Sequence, residues 1–438
     1  MRSMQNAWSH DMKYFRAHPF SHSVVSRLNL AATDMMPCQA AARFALLSLV
    51  ASKWLSSAES ELELQARLTP CELVRYFGYP CEVSYATTED GYILEVDRVP
   101  HGRNGTTGQN GTSRHPILFL PAILTASDIW FLNYPDQSPG FEAADAGFDV
   151  WTMNSRDSDR YASHATLSKN DPKYSKWSFD EIGRYDVAAG IDHVLNATGA
   201  PKLILFSLSQ GVTATLVLLS TRPEYNNKVD LVVAYGPVAN VSHFGPPLSL
   251  LIPFVPEIAV VAYPFTRAGY LGVDQGGSEL LAGLCNLITG QICSVVITIP
   301  AFTSPYQLNE TRLPVYAGHY PIGTSLQNLL HYNQMYRAKN FIMYDYGTAE
   351  NRRRYNQTTP PAYPLERITS PVALFSSTGD TFADPTDVKL LASRLGSRVI
   401  LNRVVPQQTF RHFDFVVGYR ANDFLHNVAI DLVRQYAG

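Results

Sequence analysis

The stretch Leu203-Ile204-Leu205-Phe206-Ser207-Leu208-Ser209-Gln210-Gly211-Val212 sets a serine between an apolar, strand-like run and the start of a helix. Small residues, Ser207 and Gly211, flank Ser209 two places away on either side. This is the spacing of a nucleophile elbow, a strained turn that lifts a serine hydroxyl to the top of a sheet. The usual pattern has glycine at both flanks, because strand and helix pass close to the turn. Ser207 in the first place makes the geometry strained but feasible. A junction of Ser and Gly is otherwise often only a turn, so the serine needs partners before it implies chemistry. Its hydroxyl becomes a nucleophile when a base accepts the proton, and the base needs an acid to orient it. In a chain that begins with the elbow, the acid comes next and the histidine last. Asp380 stands just past the apolar run 372–375, and His412 lies in the loop after residues 399–405. Among twelve histidines, its place after the last candidate strand favours His412. Asp384 and Asp414 remain rivals to Asp380 as the acid.

Elements that could position these residues are visible in the apolar pattern. Residues 117–123, 148–153, 203–206, 231–234, 372–375 and 399–405 are candidate strands, and segments such as 179–195 have helical spacing between them. Near-continuous apolar strands alternating with helices predict an α/β fold, a mostly parallel sheet covered on both faces. Residues 83–87 and 92–96 around Glu89-Asp90-Gly91 read as a hairpin, since Asp-Gly supplies the positive φ of a tight turn. A surface loop rich in Gly, Asn and Thr follows at 102–114. The pattern breaks over 240–345, where the apolar runs 248–256 and 258–265 carry prolines that would spoil a central strand. That segment reads as a mainly helical cap inserted above the sheet, although ordinary core packing would account for its apolar character as well. The division that follows is an N-terminal extension with a signal peptide at 1–58, core at 59–239, cap at 240–345, and core again at 346–438.

With 438 residues, 46% of them hydrophobic, the chain can bury a large core. A net charge of −3 with no sustained basic run excludes nucleic acid as a partner. Arg43 leads into Phe44-Ala45-Leu46-Leu47-Ser48-Leu49-Val50-Ala51, and Ser56-Ser57-Ala58 offers a small-residue cleavage site. Together these read as a signal peptide, with an amphipathic surface helix as the alternative. The run is far short of the roughly 20 residues of a membrane span, so no integral span is expected from it. Asn104, Asn110, Asn196, Asn240, Asn309 and Asn356 each begin an Asn-x-Ser/Thr glycosylation tripeptide, as suits an exported chain. Cys38 would leave with the signal, and the close pairs Cys71/Cys81 and Cys285/Cys293 read as two local disulfides, with buried free thiols as the alternative. No Cys-x-x-Cys and no histidine cluster accompanies them, so no metal is expected, nor any cofactor.

Longer stretches carry a more specific signal. They are Tyr76-Phe77-Gly78-Tyr79-Pro80, Thr88-Glu89-Asp90-Gly91-Tyr92-Ile93-Leu94 and Ala144-Asp145-Ala146-Gly147-Phe148-Asp149-Val150-Trp151. Further along come Asn154-Ser155-Arg156, Trp177-Ser178-Phe179-Asp180-Glu181 with Tyr185-Asp186, and Gly323-Thr324-Ser325-Leu326-Gln327-Asn328. In this order they resemble the acid lipase family, the gastric and lysosomal lipases, over nearly everything from Leu73 to Gln435. The resemblance implies an α/β-hydrolase with an inserted cap, a secreted or lysosomal location, and acyl transfer on neutral lipid esters (triacylglycerols or sterol esters) at a lipid–water interface. It makes Ser209 the nucleophile, Asp380 the acid and His412 the base, with the backbone N–H groups of Gln210 and Ile123 as oxyanion donors. Cys285 and Cys293 match the family's cap disulfide, whereas Cys71 and Cys81 match no pair of its vertebrate members.

The chain also departs from the family. Pro121-Ala122 stands where the family has His-Gly, Met153 where a Gly commonly precedes the Asn, Asp157 where Gly follows Asn-Ser-Arg, and Leu208 where a His precedes the nucleophile. Losing glycine from the oxyanion loop would restrict how Ile123 is aimed. The resemblance therefore leaves two readings: an active ester hydrolase, or a catalytically impaired relative that binds and carries lipid.

Overall fold

The computed structural model describes residues 61–105, 115–246, 248–272 and 303–437. The apolar runs become strands: β1 (Glu82–Thr87), β2 (Tyr92–Val99), β3 (Pro116–Leu120), β4 (Asp149–Met153), β5 (Ala162–His164), β6 (Leu203–Leu208), β7 (Val229–Tyr235), β8 (Tyr270–Gly272), β9 (Gly323–Ser325), β10 (Val372–Ser377) and β11 (Val399–Val405). Nine of them form one sheet in the order β1-β2-β4-β3-β6-β7-β10-β11, with β5 also on β2, while β8 and β9 pair separately. The β1–β2, β2–β4 and β2–β5 pairs are antiparallel. All pairs from β4 to β11 are parallel.

Alternation along the central strands separates two cores. Leu118, Leu120, Leu203, Leu205, Val232 and Leu374 face one side, and Ile117, Phe119, Ile204, Phe206, Val233 and Phe375 the other. Both faces are buried because the crossovers between parallel strands lay helices over each. On the first side lie α1 (Ala188–Thr198), which continues Phe179–Glu181 and a π-helical stretch Ile182–Val187, and α2 (Gln210–Thr221). Further along the chain come α3 (Val255–Ala262), α4 (Leu326–Ala338), α5 (Pro385–Leu395) and α6 (Asn427–Tyr436). Of these α5 packs on the first side and α6 on the second.

Several expectations shift at their edges. β3 stops at Leu120, not at 123; Pro121 has no N–H to continue the ladder. β11 is a sheet edge, leaving Ile400 41% and Val404 46% exposed, so its apolar run does not mean burial on both faces. The hairpin forms as β1–β2 with Gly91 at φ +98°. The described part of 240–345 supplies no strand to the main sheet; it holds α3, α4, the β8–β9 pair and short helical turns. Cys71 and Cys81 form a disulfide. Residues 1–58, Asn110, Cys285 and Cys293 lie outside the described residues.

The family-like segments meet at Arg156. Its guanidinium is fully buried between Asp90 (2.7 Å) and Asp186 (2.6 Å), joining the β1–β2 turn, the loop after β4 and the π-helical stretch. Burial alone would lower its pKa, yet the two carboxylates hold it raised. Removing one partner of a buried pair such as Arg156–Asp186 costs about 3–5 kcal/mol, so the pair locks the loop after β4.

Candidate active site

Ser209 stands between β6 and α2 with φ 52° and ψ −112°. An L-residue enters that region at a cost of about 1–3 kcal/mol, so the surroundings must hold it there. Its N–H donates to Tyr235 O at 3.0 Å, anchoring the turn to β7. Ser207, inside the sheet opposite Leu120 and Ala234, is accommodated because its hydroxyl pairs with that of Thr215 at 3.0 Å. Gly211 admits no side chain: a Cβ would meet Leu120 O at 2.7 Å and Pro121 O at 2.9 Å.

His412, in the loop after β11, places Nε2 2.7 Å from Ser209 Oγ and Nδ1 2.8 Å from Asp380 Oδ2. The network assigns the tautomer: Nδ1–H donates to the carboxylate and Nε2 is free to accept the serine proton. Asp380 lies beyond β10, and its Oδ1 accepts from the N–H groups of Phe382 (2.8 Å) and Ala383 (3.0 Å). Phe382 stacks on the imidazole with centroids 4.9 Å apart. At Gly236, φ +49°, a Cβ would meet His412 Cε1 at 2.9 Å, so the end of β7 is kept bare for the ring. All three polar side chains are buried.

The rival acids do other work. Asp384 caps α5 by accepting from Thr386 N–H. Asp414 accepts from Arg411 N–H (2.6 Å) and Ser304 N–H (3.0 Å), bracing the loop that carries His412; burial pushes its carboxyl up to about 8.

Gln210 is the first residue of α2, where backbone N–H groups have no intrahelical acceptor and the helix end is positive. Ile123, in the loop after β3, is half-buried in a turn. There Thr125 Oγ1 donates to Ala122 O at 2.9 Å, and Leu124 O accepts from Ile322 N–H at 2.8 Å. The positive φ of this loop falls on Leu124 (65°) and not on Ala122. Replacing glycine at 122 therefore adds a buried methyl and forces no left-handed backbone there.

Sequence reasoning missed a feature at Asp157. Its carboxyl, 1% exposed, accepts from Gln210 Nε2 at 2.7 Å and from Ser155 Oγ at 2.5 Å. Burial pushes it up to about 7, against the lowering effect of those two donors. An acid in a place where the family has glycine was the signal, but its partner lies in a different element. Of the glycosylation candidates, Asn104, Asn196 and Asn356 are exposed and Asn309 is half-buried, accepting from Thr311 N–H and Oγ1–H. Asn240 is 4% exposed, so its folded environment leaves no room for a glycan.

Sheet order, crossover pattern and the serine turn define an α/β-hydrolase. Residues 71–134 match a family model described as a partial α/β-hydrolase lipase region. Lipase member N of Mus musculus is 35% identical over 383 residues, spanning 86% of this chain and 93% of that protein. Gastric triacylglycerol lipase of Bos taurus is 34% identical over 380 residues, 85% of this chain and 92% of its own. Lysosomal acid lipase/cholesteryl ester hydrolase of Homo sapiens is 32% identical over 388 residues, with 85% and 92% covered. The chain belongs to the acid lipase family. It is a carboxylic ester hydrolase.

Proposed function

We propose that this chain hydrolyses neutral lipid esters, triacylglycerol or sterol ester, at a lipid–water interface through an acyl-enzyme on Ser209. The observation that carries the reading is the unbroken line from Asp380 through His412 to Ser209 Oγ, at 2.8 and 2.7 Å. His412 Nε2 takes the serine proton as Oγ attacks the ester carbonyl, and Asp380 stabilises the imidazolium that results. The tetrahedral oxyanion is held by the N–H groups of Gln210 and Ile123. His412 then returns the proton to the leaving alcohol, and water, activated by the same base, releases the fatty acid. A lipid carrier would have no use for this line of three side chains, which weighs against the carrier reading.

The cap supports a lipid surface as the place of action. Of the apolar residues in Leu248–Phe265 only Ile252 and Ala259 are buried. Leu250, Leu251, Phe254, Val260, Val261 and Phe265 are each more than half exposed, an apolar face that water disfavours and a lipid phase accepts. Pro253, Pro256 and Pro264 break the stretch into short helical turns, which suits lying on an interface better than crossing one. The Cys71–Cys81 disulfide and the exposed Asn104, Asn196 and Asn356 support passage through the oxidising export route to a secreted or lysosomal destination.

Labelling with a fluorophosphonate, wild type beside Ser209→Ala, tests the chemistry, and release of fatty acid from emulsified triacylglycerol and cholesteryl ester tests the substrate. Labelling and lipolysis that both vanish in Ser209→Ala are expected. Folded wild-type protein that takes no label would point to the carrier, and lipid extraction would identify its cargo.

A further inference from the structure

The side chain of Gln210 is gripped at both ends. Its Nε2 donates to Asp157 Oδ2 at 2.7 Å, and its Oε1 accepts from Asn328 Nδ2 at 2.7 Å and from Tyr332 OH at 3.3 Å. Asn328 and Tyr332 belong to α4 in the cap segment, and Asn328 Oδ1 in turn accepts from Phe179 N–H at 2.8 Å. Asp157 is itself fixed, by Ser155 Oγ on its other oxygen and by Tyr270 OH, from β8, on its carbonyl (2.7 Å). A relay thus runs from the loop after β4, through the residue that follows the nucleophile, to the cap.

Burying a carboxyl without a cation is unfavourable. The guanidinium of its neighbour in the chain, Arg156, is committed to Asp90 and Asp186. Asp157 is buried all the same, and what it holds is the side chain of Gln210. We propose that Asp157 is a positioning residue for the oxyanion site: by clamping the Gln210 side chain it fixes the Ser209–Gln210 peptide, and so the N–H that must meet the tetrahedral oxygen. The inference rests on the reading of Ser209 as nucleophile and Gln210 N–H as oxyanion donor. A donor has to be held to within about 0.5 Å and 10–20° of its target to stabilise charge that exists only in the transition state. With one end of the amide on the core and the other on the cap, the first turn of α2 is held from both sides.

The test uses the full chain, a water-soluble p-nitrophenyl ester and the rate of fluorophosphonate inactivation. Variants are Asp157→Ala, Asp157→Asn, Gln210→Ala and the double Asp157→Ala/Gln210→Ala. Gln210→Ala keeps the backbone N–H and removes only the clamp. Both alanine variants are expected to lower kcat about tenfold, less than the hundredfold or more of losing a donor outright, with KM within about twofold. The double variant should be no slower than the slower single, because both break the same link. Asp157→Asn should stay within about threefold of wild type, its carboxamide oxygen still accepting from Gln210 and its NH2 donating to Ser155. Wild-type kcat in Gln210→Ala, or losses that multiply in the double variant, would overturn the proposal even if Asp157→Ala failed to fold. A wild type that neither labels nor turns over would instead remove the hydrolase reading on which it stands.

Discussion

At the scale of single residues, the proposed site divides one task among three environments. Asp380 spends one oxygen on two backbone N–H groups and offers the other to His412. That division locks the imidazole in the tautomer whose Nε2 faces Ser209. Asp380→Asn keeps the shape but presents an NH2 to Nδ1, which turns the ring to the wrong tautomer. A fall in kcat of about a thousand- to ten-thousandfold is expected, with melting temperature nearly unchanged. A loss under tenfold, measured on the same p-nitrophenyl ester, would mean that Asp380 does not orient the base. That these three residues would meet was legible because the chemistry dictates their order and each follows an apolar run. Asp157 was visible only as a departure from the family. Its hydrogen bond to Gln210 joins residues 53 positions apart, and no local pattern records such a pairing.

Elements matter here through how closely they approach. The first turn of α2 presses on the end of β3, and Gly211 is the contact: its missing Cβ leaves room for the carbonyls of Leu120 and Pro121. Those carbonyls belong to the backbone that leads into Ile123, so anything that pushes them also moves the second proposed oxyanion donor. Gly211→Ala therefore tests the element contact directly. The backbone cannot swing aside as a flexible side chain would, and a drop in kcat of about a hundredfold, with KM little changed, is expected. Normal kcat in a folded Gly211→Ala would show that the β3 loop yields without consequence. The central strands were readable from their apolar runs, since burial on both faces leaves little else for them to be. The ends were less so. β3 terminates at a proline, β11 turns out to be an edge, and the π-helical stretch Ile182–Val187 has the same apolar spacing as the helix around it. Turn and edge depend on what lies alongside, which composition does not state.

Across the whole molecule, the interior carries an electrostatic bias that no single element reveals. Burial pushes Asp97 up to about 8, Asp157 to about 7 and Asp414 to about 8, from a usual 3.8. Glu95 and Asp186 are raised for the same reason. Between the unfolded and folded values, the folded chain keeps protons that the unfolded chain releases. Stability therefore declines as pH rises through that window. His331 opposes this at lower pH: buried, its pKa drops to about 4 from 6.5, so below 6.5 the unfolded chain gains a proton that the folded one refuses. Between pH 8 and 6.5 the carboxyls act without that opposition, and the melting temperature is expected to rise as the pH is lowered across this range. Below about pH 6.5 the gain should flatten as His331 begins to count. Asp157→Asn and Asp97→Asn remove one contributor each, so each should shrink the difference between the two ends, with the larger share lost when both are combined. Thermal unfolding of wild type and these variants at pH 5, 6.5 and 8 measures it. A wild-type melting temperature that climbs from pH 6.5 to 8 would show that these carboxyls are ionised in the folded protein, and that the buried acids, Asp157 beside Gln210 among them, are held as carboxylates by the hydrogen bonds they accept.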